Sequence, residues 1–271
     1  MTSVVRRVAV AVVVALAACR RPAPVRRAVA ARDVPPPTVA AAPHRPVAAL
    51  YEENPWLMVV GSDAPSVVLY EDGHVIHAVG EGRDARMVEG HLGPGAARRF
   101  VRDHADLAGV APFTECSGST DQPTVRILVR VGDRWDVRSV YGFSTDPRAH
   151  YPEDAPAPPA FARAYRDLVA LRAADDRPWV PETVEVMVWG FDYARAAVPW
   201  PPDLPPPPPT LLPPDGGTAS MLVAGRHRAR VVELVRSLGE ATAVSFNGHR
   251  WAVSLRDVVP EEAALAEARR Q

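Results

Sequence analysis

Two thiols, a few histidines and acids, and a group of arginines are the side chains in this 271-residue chain that could carry chemistry. Cys116 lies in Thr-Glu-Cys-Ser-Gly-Ser-Thr-Asp. A thiol there becomes a nucleophile only if the fold brings a histidine to it; otherwise a lone cysteine behaves as a small apolar residue. His74 and His77 are three apart in a segment that reads as a strand, which puts them on opposite faces and ill placed to share a metal. Thr120 and Asp121 precede Pro123 and read first as turn formers, because short polar side chains bond nearby backbone amides. Asp121 is also a candidate binding residue. Arg126, Arg130 and Arg138, with Asp136 among them, are expected to share a face able to take an acidic glycan or a lipid headgroup.

The spacings of the familiar catalytic motifs are missing from the sequence. It holds no Gly-x-Ser-x-Gly elbow, Walker loop, His-Glu-x-x-His pair or Cys-x-x-Cys pair. Gly80-x-Gly82-x-x-Ala85 imitates a dinucleotide fingerprint, but Gly90 and Gly93-Pro94-Gly95 interrupt the helix that the fingerprint requires. No catalytic residue, metal ligand or cofactor is assigned.

These residues are set in a chain large enough for one large domain or two small ones, with 47% hydrophobic residues to fill a core. All its basic residues are arginine, a bias that fits a GC-rich genome. The net charge of −1 gives no overall basic excess and argues against nucleic acid as partner. Charge is instead divided along the chain. Residues 19–49 carry a net +5, and everything after them a net −8.

The elements that must position these side chains are short. Segment 57–60 reads as a strand. Segments 67–71 and 74–79 flank Asp72-Gly73, a hairpin signal. Ala97, Phe100, Val101, His104 and Leu107 recur at helical spacing. Val125, Ile127, Val129 and Val131 alternate with Arg126, Leu128 and Arg130 up to Gly132-Asp133, and Trp135, Val137 and Tyr141 continue the pattern beyond it. A helix is predicted over 159–174, a strand over 184–191, a strand over 220–224 and a helix over 226–238. A third hairpin is predicted at Asn247-Gly248. Ten of the sixteen residues 199–214 are proline, a stiff polyproline stretch that reads as a spacer. The expected fold is α+β: mostly antiparallel hairpins with about three amphipathic helices packed on the sheet, after a disordered N-terminal tether.

The N-terminus supplies the most specific signal. Arg6 and Arg7 precede an apolar run, 8–18, that would reach only about 16 Å as a helix against about 30 Å of hydrocarbon. That suits a signal peptide. The run closes on Leu16-Ala17-Ala18-Cys19, which resembles the lipobox of bacterial lipoproteins. The resemblance implies diacylglyceryl attachment to the Cys19 thiol, cleavage before it, and further acylation (palmitate-type chains) that anchors firmly where one chain would not. Arg20 rather than aspartate follows the cysteine, which in that class favours the outer membrane. With Cys19 lipidated, Cys116 has no disulfide partner in the chain.

The expected organisation is a signal peptide over 1–18 and an Arg/Pro/Ala-rich tether over 19–49. A main domain over 50–198, a proline-rich linker over 199–217 and a small helix–hairpin piece over 218–271, docked on the main domain, follow. The body is similar in outline to uncharacterised exported proteins of GC-rich bacteria, through Leu69–Ile76 as Leu-Tyr-x-Asp-Gly-x-Val-Ile, 120–125 as Thr-Asp-x-Pro-Thr-Val, and 255–261 as Leu-Arg-x-x-x-Pro-Glu. That family implies no activity. The functional expectation is an exported, lipid-anchored cell-envelope protein on the periplasmic face of the outer membrane or the cell surface. Its expected role is non-catalytic, binding an envelope protein or glycan, or structural. The alternative is an exported enzyme, a hydrolase acting on envelope material.

Overall fold

The computed structural model describes residues 27–30, 45–59, 63–80, 85–145, 154–211 and 217–270. The expected signal peptide, Cys19 and most of the expected tether lie outside the described residues. In chain order the strands are β1 (Arg27–Ala30), β2 (Pro46–Glu53), β3 (Val67–Tyr70), β4 (His74–Val79), β5 (Arg86–His91), β6 (Phe113–Glu115), β7 (Thr124–Val131), β8 (Arg134–Tyr141), β9 (Arg177–Pro178), β10 (Thr183–Gly190), β11 (Ala196–Pro199), β12 (Thr218–Ala224), β13 (Thr242–Phe246) and β14 (His249–Asp257). The α-helices are α1 (Ala96–Asp103), α2 (Pro159–Val169), α3 (Arg228–Ser237) and α4 (Glu262–Arg269).

The fold is α+β, built on two largely antiparallel sheets. One has eight strands in the order β6-β8-β7-β2-β3-β4-β5-β9; the other has six, β1-β12-β10-β14-β13-β11. Among the described residues parallel pairing is confined to β6 with β8, β1 with β12 and β11 with β13. Both edges of the larger sheet are strands of three residues or fewer, short enough to offer little template for edge pairing.

Alternation decides which face each residue covers. Leu50, Leu69, Val75, Ile127 and Val140 face one side of the eight-stranded sheet, where α1 and α2 pack. Tyr51, Tyr70, Ile76 and Leu128 face the other, where α4 lays Leu265 and Ala268. Each fully buried leucine or isoleucine contributes about 1.5–3 kcal/mol. The six-stranded sheet packs Val184, Val186, Met221, Trp251 and Val253 under α3 and the proline-rich stretch.

The hairpins form at Asp72-Gly73, Gly132-Asp133 and Asn247-Gly248, as the turn chemistry requires. Gly73 has φ 90°, and a Cβ there would lie 2.6 Å from the Gly93 carbonyl oxygen, so only glycine fits.

Several elements differ from the sequence expectation. Residues 46–49 were expected to end the tether; they belong to β2, which runs through the middle of the larger sheet. That strand is buried on both faces, so it shows a continuous small-apolar run instead of alternation. Residues 57–59 form no strand. Arg27–Ala30, also within the expected tether, pairs along β12. The C-terminal helix α4 was not anticipated.

The proline-rich stretch is not a free spacer along its described length. Leu204, Leu211, Pro201 and Pro207 are buried. The Trp200 indole N–H donates to the Pro205 carbonyl at 3.1 Å, and the Asn247 amide to that of Pro208 at 3.0 Å. The change of sheet comes before it, between β9 and β10. Strands β10 and β11 therefore share a sheet with β12–β14 rather than with the larger domain expected to end at 198.

Candidate functional site

The end of β2, the loop before β7 and one side of α2 enclose a cleft of about 590 Å³. Three local devices shape it. First, Asn54 turns the chain out of β2. Its side-chain oxygen accepts the Trp56 backbone N–H at 2.9 Å, an Asx turn that leaves the indole 72% exposed. Second, the Tyr141 hydroxyl holds the loop before β7 from both sides. It donates to the Ser119 carbonyl at 2.8 Å and accepts the Gln122 N–H at 2.9 Å. Between those two anchors Asp121 is kept at φ 62°, a left-handed backbone that non-glycine residues adopt only where surroundings enforce it. Third, Phe143 packs against the Tyr165 ring at 4.7 Å between centroids, and the Tyr165 hydroxyl donates to Glu52 Oε1 at 2.7 Å. Burial and the adjoining Glu52 carboxylate push the Tyr165 phenol well above its ordinary range, so it stays a donor.

The lining thus combines an exposed indole with two carboxylates, two amides and hydroxyls, and among the described residues it includes no arginine. The volume falls within the range of small-molecule sites. Such a wall can stack an apolar ring face while accepting and donating hydrogen bonds around its rim.

A second group of charges lies where α4 joins the two sheets. Glu185 of β10 stands directly across from Arg256 of β14. The Arg256 guanidinium bonds both Glu185 and Glu262 of α4, and the three side chains are between 5% and 10% exposed. At the other end of α4, Arg269 lies over the Tyr51 ring, 4.2 Å from its centroid, and bonds Glu53 at 2.6 Å. Burial raises the Glu262 carboxyl above its ordinary value against the pull of Arg256, and raises the Tyr51 phenol strongly.

The sequence-derived candidates separate. Asp121 lines the cleft. The three arginines do not share a face: β7 puts Arg126 and Arg130 with Leu128, whereas β8 puts Arg138 and Asp136 with Val140. A one-residue offset in a pleated strand reverses the face. Each guanidinium also has partners within the chain. Arg138 pairs with Asp136 and donates to the Leu107 carbonyl at 2.9 Å. Arg126 reaches the Arg269 carbonyl at 3.1 Å, and Arg130 lies 3.4 Å from Asp133.

His74 and His77 do point to opposite faces. His74 bonds Glu89 at 3.1 Å and stacks on Tyr70; His77 bonds Asp176 at 2.9 Å. His91 packs beside His74, with ring centroids 5.2 Å apart. Among the described residues no three histidine, cysteine or acidic side chains converge as a metal site. Cys116 is buried, and burial pushes its thiol up, away from the thiolate form a nucleophile needs. Gly82 and the rest of 81–84 lie outside the described residues. Glu52, Asn54, Trp56 and Tyr165 escaped the sequence reading. Asn54-Pro55 was the available signal, since that dipeptide marks a turn rather than a strand.

The chain matches no protein-family model, no curated protein and no solved structure. Among the described residues no helix is long and apolar enough to cross a membrane.

Proposed function

We propose that this chain is a lipid-anchored cell-envelope protein whose body binds a neutral saccharide in the Trp56–Tyr165 cleft. The observation that carries the binding reading is the cleft's lining: an exposed indole beside the Tyr165–Glu52 pair and the constrained Asp121 loop. A pyranose ring has one apolar C–H face and a rim of hydroxyls that both donate and accept. An indole suits the first, and carboxylate, amide and phenol suit the second. The carboxylates of Glu52 and Asp121, with no arginine among the described lining residues, disfavour an anionic ligand.

The anchor reading is supported by Leu16-Ala17-Ala18-Cys19 and by the basic segment that follows it. Lipid on Cys19 supplies residence at the membrane; the body supplies recognition.

Two measurements test the two halves separately. Calorimetric titration with N-acetylhexosamine oligomers should show binding that Trp56→Ala weakens at least tenfold while the melting temperature is unchanged. Equal binding by both forms, or none by either, would remove the saccharide reading. Oligomer cleavage during the same titration would favour a hydrolase over a binding module. For the anchor, intact mass of protein extracted from membranes should show acyl chains on an N-terminal Cys19. An N-terminus elsewhere, or a Cys19→Ala variant equally retained in membranes, would remove that half.

A further inference from the structure

A second pocket, of about 360 Å³, opens at the end of the larger sheet where the chain enters β2. Its wall carries arginines from three separate parts of the fold. Arg45 precedes β2, Arg98 and Arg102 lie one turn apart on α1, and Arg130 is the last residue but one of β7. Val47, Ala97 and Val101 supply apolar surface between them, and Glu71 is the acid in the lining. The arginines are incompletely neutralised. Among the described residues the Arg98 side chain forms no hydrogen bond or ion pair. Asp133, 97% exposed, approaches Arg45 only to 3.8 Å and Arg130 to 3.4 Å. Arg102 shares the exposed Asp103. Helix α1 adds a second strain of the same sign: its first turn contains Arg98 and Arg99 and no acid, although a helix N-terminus favours negative charge.

We infer that this pocket binds the phosphodiester of an anionic phospholipid headgroup. Guanidinium groups from different elements match a phosphate's several oxygens, and forked N–H donors take them in pairs. The apolar surface beside the arginines suits the glycerol and first methylenes next to that phosphate. The choice of a lipid over free phosphate rests on the anchor reading. Arg45 belongs to the basic N-terminal stretch that the anchor reading places beside the bilayer, and it brings that stretch's charge to the pocket's rim. Phosphate contact there would set the orientation of the body on the bilayer and leave the saccharide cleft, lined by other residues, free to work.

The test uses soluble, monomeric ligands, so that neither the anchor nor the basic tether acts on a membrane surface. The full chain carrying Cys19→Ala is titrated with short-chain phosphatidylglycerol below its micelle concentration, with short-chain phosphatidylcholine, and with inorganic phosphate. Phosphatidylglycerol should bind at least tenfold tighter than the other two. Arg98→Gln with Arg102→Gln should weaken it at least tenfold without changing the melting temperature, because both side chains are exposed on α1. Arg166→Gln with Arg172→Gln, which removes the same charge from the surface at α2, should leave it unchanged. Inorganic phosphate binding as tightly as phosphatidylglycerol overturns the lipid assignment. Equal loss in the two double variants, or no loss in either, overturns the pocket. Failure of Cys19 acylation is read by mass alone, so it is distinguishable from both.

Discussion

Glu52 and Glu53 are neighbours at the end of β2, and the pleat sends them to opposite sides of the same sheet. Glu52 faces the cleft, where its described partner is one phenol at 2.7 Å and much of it meets solvent. Glu53 faces α4, where Arg269 and Arg126 both reach it. The first side leaves polar groups open to solvent. The second uses its charges on one another: Arg256 is shared by Glu185 and Glu262, and removal from water makes each dependent on the rest. Similar residue types are thus left to solvent on one face, where we propose recognition, and tie the two sheets together on the other, and the difference lies in burial.

The largest effect should come from breaking the buried group. Arg256→Met leaves Glu185 and Glu262 buried without their cation and should cost about 3–5 kcal/mol, read by denaturant unfolding. Replacing all three by apolar residues of similar volume should restore most of that. If the triple variant is as unstable as Arg256→Met, the charges do more than neutralise each other.

Acid should act on the same place with a definite sign. The Glu262 carboxyl is raised from its ordinary 4.5, so between that value and its folded value the native chain holds a proton that the unfolded chain has released. Its contribution to stability is therefore complete below about pH 4.5 and is lost as pH rises through the folded value. Glu262→Gln should remove this falling component when unfolding midpoints are compared from pH 4 to 7. Glu185, Arg256, Arg269, Tyr51 and Tyr70 are the charged or titratable groups that interact with it. Exposed Asp103, Asp106, Asp175 and Asp203, each lowered by hydrogen bonds, give the opposite slope, but they are common to both proteins. Parallel profiles for the two proteins would contradict the assignment.

On the cleft side the balance should reverse. Trp56→Ala should change stability by less than about 0.5 kcal/mol, as for a side chain that packs against little, while saccharide affinity falls as described above. A large drop in melting temperature would show that the indole belongs to the core rather than to a site. A smaller effect than that loss of affinity is expected at Tyr51, whose buried hydroxyl makes no geometric hydrogen bond among the described residues. Tyr51→Phe should be neutral or stabilising by up to about 1 kcal/mol, since removing an unsatisfied buried group gives back its desolvation cost. A loss beyond about 1 kcal/mol would mean that the hydroxyl takes part in the network around Arg269.

The sequence determined the local pieces. Asp72-Gly73, Gly132-Asp133 and Asn247-Gly248 each force a tight turn, and the flanking alternation sets which residues lie together, so three hairpins were legible. The helix at 159–169 was legible for the same kind of reason, with Pro159 in its first turn and Phe161, Ala164 and Leu168 on its buried side. These depend on interactions between residues a few positions apart. The α+β character followed from them. Strand β2 was lost because burial on both faces erases alternation, and the proline-rich stretch read as a spacer because its contacts with the β13–β14 turn are long-range. Asp121 was legible as a candidate, but its cleft was not: Glu52 and Tyr165 are 113 residues apart. The Glu185–Arg256–Glu262 group was equally hidden, since the alternation that exposes a valine face says nothing about which strand will lie opposite it. Only the tertiary structure decided which charges would be buried together and which left to solvent. That choice depends on desolvation, which no side chain carries with it until its neighbours are in place.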